Sequence, residues 1–569
     1  MTERAGLAGC VPERIGGCVP ERIGRHAAQI TAGNMASRLT GLVRVVAVAG
    51  ALGTTFLGNT YQTANLVSNI AFELLAAGLL SSVLVPPFVR LVDAGSHEEA
   101  DEVAGALLGL ALSALGIVTV AGLVGRTWIM RGLTVAVPDP AVRAAEVRLG
   151  SFLLVVFLPQ VLLYAVGAIA TARLQGARRF VAPAFAPVAN NVVVVATMAV
   201  FWILHGSGGG GVGLDLATSE RLVLAVGTTA GVAAMTLVTV VGARRAGFRL
   251  RPRWAYAVPW TRPARPARPA HVRAALAELR QAGLWGAAYL AFNQALVATT
   301  LVLANRVAGG VVAYQIAFTV FLLPFAVGAH PTLTAVYPRL VAEAGGRRWK
   351  AFADALATSG GTIVFLVVPA TALLVAVGRP ALSVVRFGHL DVAGVGLTAR
   401  VLAAYAFGIL GYAGLQLLTR ASYALGDTRT PALVYAGVAG GGSLLMALAF
   451  AAASGDDRVV VLGLAHSAAM MAGAAMLVVF VRRRAGEPCL PAASLARALP
   501  CAVAAGVAAR LVSDRIGVGG RIGAALAVTS SSAVAGAVYL GGQWGLRAPE
   551  LRRLWPRHLA VAATSDRSP

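Results

Sequence analysis

The chain between residues 28 and 545 is a succession of about fourteen apolar segments, separated by short polar or basic stretches. Each segment has roughly 20 mostly apolar residues, the length that an α-helix needs to cross the hydrocarbon core of a bilayer. The pattern predicts an all-α integral membrane protein with about fourteen transmembrane helices. The predicted spans are 30–53, 60–92, 103–125, 149–173, 181–204, 221–243, 281–304, 308–341, 360–378, 397–424, 430–453, 458–481, 495–513 and 521–544.

The order of the apolar segments contains one unit twice. Arg90-Leu91-Val92 follows the second long segment, and Arg339-Leu340-Val341 stands at the equivalent point 249 residues later. The connection between the fourth and fifth segments contains Pro183-Ala184, which Pro431-Ala432 repeats in the second copy at an offset of 248 residues. We therefore expect two six-helix lobes related by an internal repeat, plus two C-terminal helices. Transporters are commonly built from such repeated halves, which rock about a bound substrate.

This division predicts six segments. They are a disordered N-terminal segment at 1–27, an N-lobe at 28–243, a basic cytoplasmic linker at 244–280, a C-lobe at 281–482, two further helices at 483–545 and a cytoplasmic tail at 546–569. The first segment carries a duplicated octapeptide at 9–16 and 17–24, which has neither a helical pattern nor the apolar core of a signal peptide.

Composition and charge support a membrane protein and give its orientation. Hydrophobic residues make up 57% of the chain and charged residues 13%, against about 25% charged in soluble domains. The net charge of +24 comes from arginines that flank the spans, so it does not indicate nucleic acid. The linker 244–280 holds ten arginines and one acid, Glu278, which places it and both termini in the cytoplasm. The loop 126–148 is an exception with four arginines on the outer side, where Trp128 indicates an interfacial segment.

Enzymatic chemistry has no counterpart in this sequence. The four cysteines have no metal-ligand spacing, exposed loops lack paired carboxylates, and no glycine-rich phosphate loop precedes Lys350. We therefore expect a transporter rather than an enzyme, without metal or cofactor, coupled to the membrane potential or to an ion.

Ionisable and amide side chains inside the spans are the candidate site, because a charge at membrane depth is costly and usually functional. The first span holds Arg38 and Arg44, about 120° apart on a helix, so that they can line two walls of one cavity. The alternative for Arg38 is that it extends to the cytoplasmic interface. The second span adds Asn59, Asn69 and Glu73, and Glu73 is a possible ion-pair partner of a first-span arginine.

A second candidate group comprises Arg420, Asp427 and Arg429, at the tenth span and its following loop. Capping of a helix end is an equally good explanation of this group. Arginine binds phosphate in a bidentate manner and stays charged, so a cavity lined by arginines suits an anion such as a lipid-linked diphosphate.

Three motifs resemble the MurJ (MviN) family of lipid II flippases. They are Ser37-Arg38-Leu39-Thr40-Gly41-Leu42-Val43-Arg44 with Ala76-Ala77-Gly78 and Val85-Pro86, then Gly176 to Asn191, and finally Ala421 to Pro431, the best match of the three. The resemblance implies a fold of the multidrug/oligosaccharidyl-lipid/polysaccharide exporter (MOP) superfamily. It also implies outward flipping of undecaprenyl-diphosphate-linked disaccharide-pentapeptide for peptidoglycan and cell-wall synthesis. The substrate is then an anionic polyprenyl-diphosphate glycolipid, held by basic cavity residues that Arg38 and Arg44 match, and cell-wall synthesis proteins are candidate partners.

The chain departs from this family pattern at four places. Asn59 stands where the family usually has an acid, Phe72-Glu73 where it has an arginine pair, Ala77 where it has glutamate and Thr319 where it has a cavity arginine. Two alternatives therefore stay open. One is a membrane scaffold of the cell-wall machinery that does not transport, and the other is an exporter of small molecules or another polyprenyl-linked glycan.

Overall fold

The computed structural model describes residues 18–73, 88–205, 213–254, 270–517 and 519–554. Within these ranges the regular secondary structure is helical, without strands, which confirms the all-α prediction. The first copy of the octapeptide, and the Ala76-Ala77-Gly78 and Val85-Pro86 motifs, lie outside the described residues.

The helices of the N-terminal half, here the N-lobe, are α1 (Cys18–Leu52), α2 (Phe56–Phe72), α3 (His97–Leu133), α4 (Pro140–Phe157), α5 (Gln160–Gly176), α6 (Val181–His205) and α7 (Thr218–Arg245). Helix α1 begins ten residues before the predicted lobe boundary at 28 and includes most of the second octapeptide copy. Pro20 permits this, because it falls in the first turn, where its missing N–H costs no hydrogen bond.

The second half, here the C-lobe, contains α8 (Ala270–Ala304), α9 (Gly310–Pro324), α10 (His330–Gly345), α11 (Trp349–Val384), α12 (Val392–Ala406), α13 (Ile409–Ala424), α14 (Arg429–Ala452) and α15 (Asp457–Ala485). The chain continues with α16 (Ala492–Ile516), α17 (Arg521–Gly545) and a short α18 (Pro549–Leu554).

Twelve helical segments of the described residues are long and apolar enough to span a membrane, and the pair α12 and α13, bent by 43°, makes thirteen when it is counted as one span. The second predicted span, 60–92, is described only in part. Two spans are interrupted beside a proline: Pro159 separates α4 from α5, and a π-helical turn, Phe325–Ala329, follows Pro324. Proline removes an intrahelical donor, so it breaks a span locally while the apolar run continues.

Each of the two halves is filled by apolar clusters of its own. Apolar clusters within Val48–Ala225 and Phe88–Ala172 fill the N-lobe, and a larger cluster runs through the C-lobe from Leu296 to Cys489. Helices α16 and α17 pack on α11, where the Tyr539 hydroxyl donates to the carbonyl of Phe365 at 2.9 Å. The division into lobes thus has a packing basis, while the exact segment boundaries stay predictions.

A buried cation fixes the start of the linker. Arg173 is fully buried in α5, and its Nε donates to Asp101 of α3 at 3.0 Å. Its guanidinium lies 3.8 Å from the ring centroid of Phe248. The second carboxylate oxygen of Asp101 accepts from the backbone N–H of Arg249 at 2.8 Å. One ion pair therefore ties α3, α5 and the first residues of the linker together.

Candidate substrate cavity and outer closure

Arg44 lies in a small cavity between the lobes. The cavity has a volume of about 30 Å³, and its lining includes Arg44 of α1, Asn65 and Asn69 of α2, and Gln315 of α9. Arg44 also interacts electrostatically with Tyr61 of α2. The structure thus brings two of the predicted site residues, Arg44 and Asn69, to one cavity that includes a residue of the C-lobe.

Arg38 faces the C-lobe, two turns before Arg44 on α1. It interacts electrostatically with His330 at the start of α10 and with Tyr412 of α13. Arg420 acts on the same His330 ring. One nitrogen of the Arg420 guanidinium, Nη1, is buried without a hydrogen-bond partner. Arg38 of the N-lobe and Arg420 of the C-lobe therefore both act on the His330 ring.

Glu73 has an amide partner rather than a cation. Gln294 of α8 donates its side-chain amide to the Glu73 carboxylate, which also acts electrostatically on Tyr314 and Tyr412. In the part of the chain that the structure describes, Glu73 forms no ion pair with the arginines of α1. The end of α2 approaches the C-lobe, so Glu73 contributes a negative charge at the edge of the basic region.

Asn59 lies away from the cavity and joins the lobes. It is completely buried; its amide nitrogen donates to the carbonyl of Val307 at 2.9 Å, and its oxygen accepts from the N–H of Val311 at 3.0 Å. One turn later Thr63 accepts from Asn305 at 3.2 Å. Since both polar atoms of Asn59 are engaged with the turn between α8 and α9, this side chain is not free to bind a substrate in this conformation.

The loop between α11 and α12 adds to the contacts of Asn59 and Thr63. Together these contacts, here the outer closure, hold the lobes together on the predicted outer side. The N–H of His389 donates to the carbonyl of Gly50, near the end of α1, at 2.8 Å. Gly388 has φ +58°, and a Cβ there would lie 2.3 Å from the Gly50 oxygen, so the contact requires glycine at this position. The His389 ring lies 6.3 Å from that of His205, which pairs with Glu220 at 2.9 Å. The C-lobe thus covers the end of the N-lobe that contains Gly50 and His205.

This closure is expected to weaken in acid. Burial, and after it the neighbouring His205, lowers the pKa of the His389 imidazole below its ordinary value. His389 therefore binds a proton more tightly in the open state than in the closed state. The closed state is fully favoured above the open-state pKa near 6.5, and it loses stability as the pH falls below that value. Spin labels at Thr218→Cys and Val392→Cys, in a background without native cysteines, report the separation of the lobes. We expect the distance between them to lengthen when the pH is lowered from about 7.5 to about 5.5. His389→Gln should reduce the change, and an equal change in that variant would assign it to other groups.

The group at the tenth span divides into two roles. Arg420 belongs to the basic region, whereas Asp427 caps α14 by accepting from the N–H groups of Arg429 and Thr430, each at 2.9 Å. Partial burial alone would raise the pKa of the Asp427 carboxyl, but these hydrogen bonds and that of the Thr430 hydroxyl hold it below its usual value. The guanidinium of Arg429 lies 5.6 Å from the ring centroid of Trp285. Asp427 thus stabilises the start of α14, whereas Arg429 contacts Trp285 of α8.

At two of the departures from the family pattern, the residue present has a partner in the structure. Phe72 packs against Tyr164, with ring centroids 5.1 Å apart, and the Thr319 hydroxyl donates to the carbonyl of Gln315 at 2.7 Å.

His330 and Gln294 were not predicted, although the rule that identified Arg38 applies equally to His330, an ionisable residue within the apolar segment 308–341. Among the described residues no group of three or more His, Cys, Asp and Glu is placed to hold a metal ion.

Comparison with known proteins agrees with this architecture. The family model described as "Lipid II flippase MurJ" matches residues 48–517. The chain is 25% identical over 414 residues to a probable lipid II flippase MurJ of Rhizobium meliloti, covering 72% of each chain. It is 24% identical to the lipid II flippase MurJ of Burkholderia cenocepacia, covering 71% of this chain and 73% of the relative.

Two solved structures share the fold at low identity. The first is a lipid II flippase MurJ in an inward closed conformation, with TM-score 0.68, 16% identity and coverage of 90% of this chain and 97% of the other. The second is an inward-facing multidrug resistance MATE family transporter of the MOP superfamily, with TM-score 0.61, 16% identity and coverage of 79% and 94%.

Proposed function

This chain belongs to the MurJ family of lipid II flippases, which are membrane transporters rather than enzymes; from that premise we propose that it flips lipid II. The substrate in this proposal is undecaprenyl-diphosphate-linked peptidoglycan precursor, carried by alternating access from the inner to the outer leaflet of the bacterial cytoplasmic membrane.

The observation that carries the proposal is the basic space between the lobes. Arg38 of the N-lobe and Arg420 of the C-lobe both act electrostatically on His330, and Arg44 lines a cavity that Gln315 of the C-lobe also lines. A diphosphate carries its charge on oxygens that guanidinium groups bind in pairs, and arginine keeps its charge at membrane depth. An anionic headgroup would therefore replace water as the partner of these side chains.

Alternating access assigns a role to the outer closure. Asn59 and the His389 loop hold the lobes together on the predicted outer side, so the conformation described is closed to the outside. Release of a flipped headgroup requires these contacts to separate. Hydrogen bonds that exchange with water at little net cost, about 0.5–1.5 kcal/mol each, suit a closure that must open in every cycle.

The membrane potential is the proposed energy source. Moving one elementary charge across it is worth about 2.3 kcal/mol per 100 mV. An inside-negative potential favours outward movement of an anionic diphosphate, and it also favours inward return of an empty, arginine-lined cavity. The cycle can therefore run without nucleotide hydrolysis by this chain.

The orientation is testable independently of transport. With both termini and the linker in the cytoplasm, a reporter fused at Gly209 should report an outer location and one fused at Arg262 a cytoplasmic one. Alkaline phosphatase and fluorescent-protein fusions at both positions provide the measurement. Finding both positions on one side of the membrane would contradict the proposed topology.

The proposed substrate is tested most simply in cells. Depletion of the protein in its native host should cause lipid-linked peptidoglycan precursor to accumulate on the cytoplasmic leaflet. Normal distribution of the precursor, together with mislocalised cell-wall enzymes, would instead indicate a scaffold.

A further inference from the structure

A second basic region lies away from the cavity, in a cleft between the end of α3 and the beginning of α4. Thr127 and Arg131 stand four residues apart on α3, and Arg143, Val147 and Ser151 repeat this spacing along α4. Residues four apart share one face of a helix, so each helix presents one stripe to the cleft. The cleft has a volume of about 620 Å³.

The cleft is cationic and lacks a counter-charge. Arg131, Arg143 and Arg148 line it, and its lining contains no carboxylate. Within the described ranges, none of these three arginines forms an ion pair. The Arg131 guanidinium instead lies 5.1 Å from the ring centroid of Trp128. Three positive charges in one cleft repel one another unless an anion is bound between them.

The hydroxyl of Ser151, at the end of the cleft farthest from the start of α4, is an independent observation that indicates a ligand. Ser151 is only 9% exposed, and its Oγ has no hydrogen-bond partner. A buried hydroxyl without a partner is unfavourable, and its presence beside three arginines indicates a ligand with acceptor oxygens.

The position of the cleft identifies the source of those oxygens. Trp128, 73% exposed, stands where aromatic side chains mark a membrane interface. Ser151 lies about 16 Å from Pro140 along the axis of α4, so the cleft extends from the interface into the outer half of the bilayer. Ala144 and Val147 provide apolar walls beside the arginines. A ligand that combines an anionic head with hydrocarbon fits both features.

We propose that this cleft binds the phosphate of an anionic phospholipid in the outer leaflet. The arginines contact the phosphate oxygens, Ser151 donates a hydrogen bond to an ester or phosphate oxygen, and the acyl chains lie along the apolar wall. Such a ligand also explains three of the four arginines between residues 126 and 148, on the side of the membrane where arginine is otherwise disfavoured.

Thermal unfolding of the full-length protein in detergent provides the test, with added phosphatidylglycerol, phosphatidylcholine or inorganic phosphate as probes. Phosphatidylglycerol should raise the unfolding temperature at lower concentration than phosphatidylcholine. The variant Arg131→Gln/Arg143→Gln/Arg148→Gln should weaken the apparent affinity for phosphatidylglycerol by about tenfold or more, since hydrogen bonds to charged groups are the stronger class. Ser151→Ala should weaken it by a smaller factor.

Arg126→Gln is the matched control. Arg126 belongs to the same segment but lies outside the cleft lining and donates to the carbonyl of Leu123 at 2.7 Å. This variant should retain the wild-type affinity, and the arginines between the lobes are intact in every variant. If the triple variant is unstable without lipid, Arg143→Lys and Ser151→Ala provide the comparison.

Two outcomes would overturn the proposal. One is equal affinity of the wild type and all cleft variants for phosphatidylglycerol, which would place anionic lipid elsewhere. The other is stabilisation by inorganic phosphate that the triple variant loses, without any preference for phosphatidylglycerol, which would assign the cleft to a free anion.

Discussion

Replacing Arg44 with alanine is expected to reduce lipid II transport by about 100-fold while the protein remains in the membrane. A hydrogen-bonded charged contact contributes about 1.5–3 kcal/mol, and each 1.4 kcal/mol corresponds to a factor of ten. Arg44 lines a cavity with Asn69 and Gln315, and no carboxylate lines that cavity. Its removal therefore deletes a contact to the substrate without leaving an acid unpaired. Complementation of a depleted host and membrane abundance are the two measurements.

Two further variants separate charge from structure. Arg44→Lys keeps the charge but loses the planar fork, so it should retain part of the transport. Arg400→Ala removes an arginine that pairs with Asp456 and Asp457 near the surface, and it should transport like the wild type. Loss of Arg44→Ala from the membrane, rather than loss of transport alone, would mean that Arg44 is structural.

Arg173→Met is expected to produce the largest loss of stability. Removing one partner of a buried ion pair typically costs about 3–5 kcal/mol, because the other charge is left unpaired. Asp101 would lose the guanidinium, and the packing of Phe248 would lose its cation. Thermal unfolding in detergent, followed by tryptophan fluorescence, should show a markedly lower midpoint.

The double variant Arg173→Met/Asp101→Leu is the diagnostic comparison for this pair. Replacing both charges by apolar side chains removes the unpaired carboxylate, so the double variant should be more stable than Arg173→Met. Arg178→Ala, which disrupts an exposed pair with Asp93, should change the midpoint little. A double variant no more stable than Arg173→Met would show that the carboxylate left by that substitution is not the main cost.

The sequence was sufficient for the fold class because membrane helices depend on hydropathy and length, which are local properties. It did not predict the interruptions at Pro159 and at the π turn after Pro324, since an apolar run continues through each. Nor does it indicate the role of Arg173. The partner Asp101 is 72 residues away, so the ion pair becomes visible only in three dimensions.

The candidate site was predicted unevenly for a geometrical reason. Arg38 and Arg44 were identified because charge inside an apolar segment is a local signal. Asn59 and Asn69 looked equivalent, yet ten residues on a helix separate them by about 15 Å along its axis. Asn69 therefore lies at the cavity, while Asn59 lies at the outer closure. Their depths follow from the packing of α2 against the C-lobe, which periodicity alone does not specify.

Flipping by the purified protein is the most direct test of the central claim. Proteoliposomes that contain only this chain and fluorescent lipid II should translocate it toward the side that an imposed potential makes positive, faster than protein-free vesicles and without nucleotide. Collapsing the potential should slow the movement, and Arg44→Ala should reduce it by about 100-fold. Translocation no faster than in protein-free vesicles, or translocation that requires a hydrolysable nucleotide, would contradict the account.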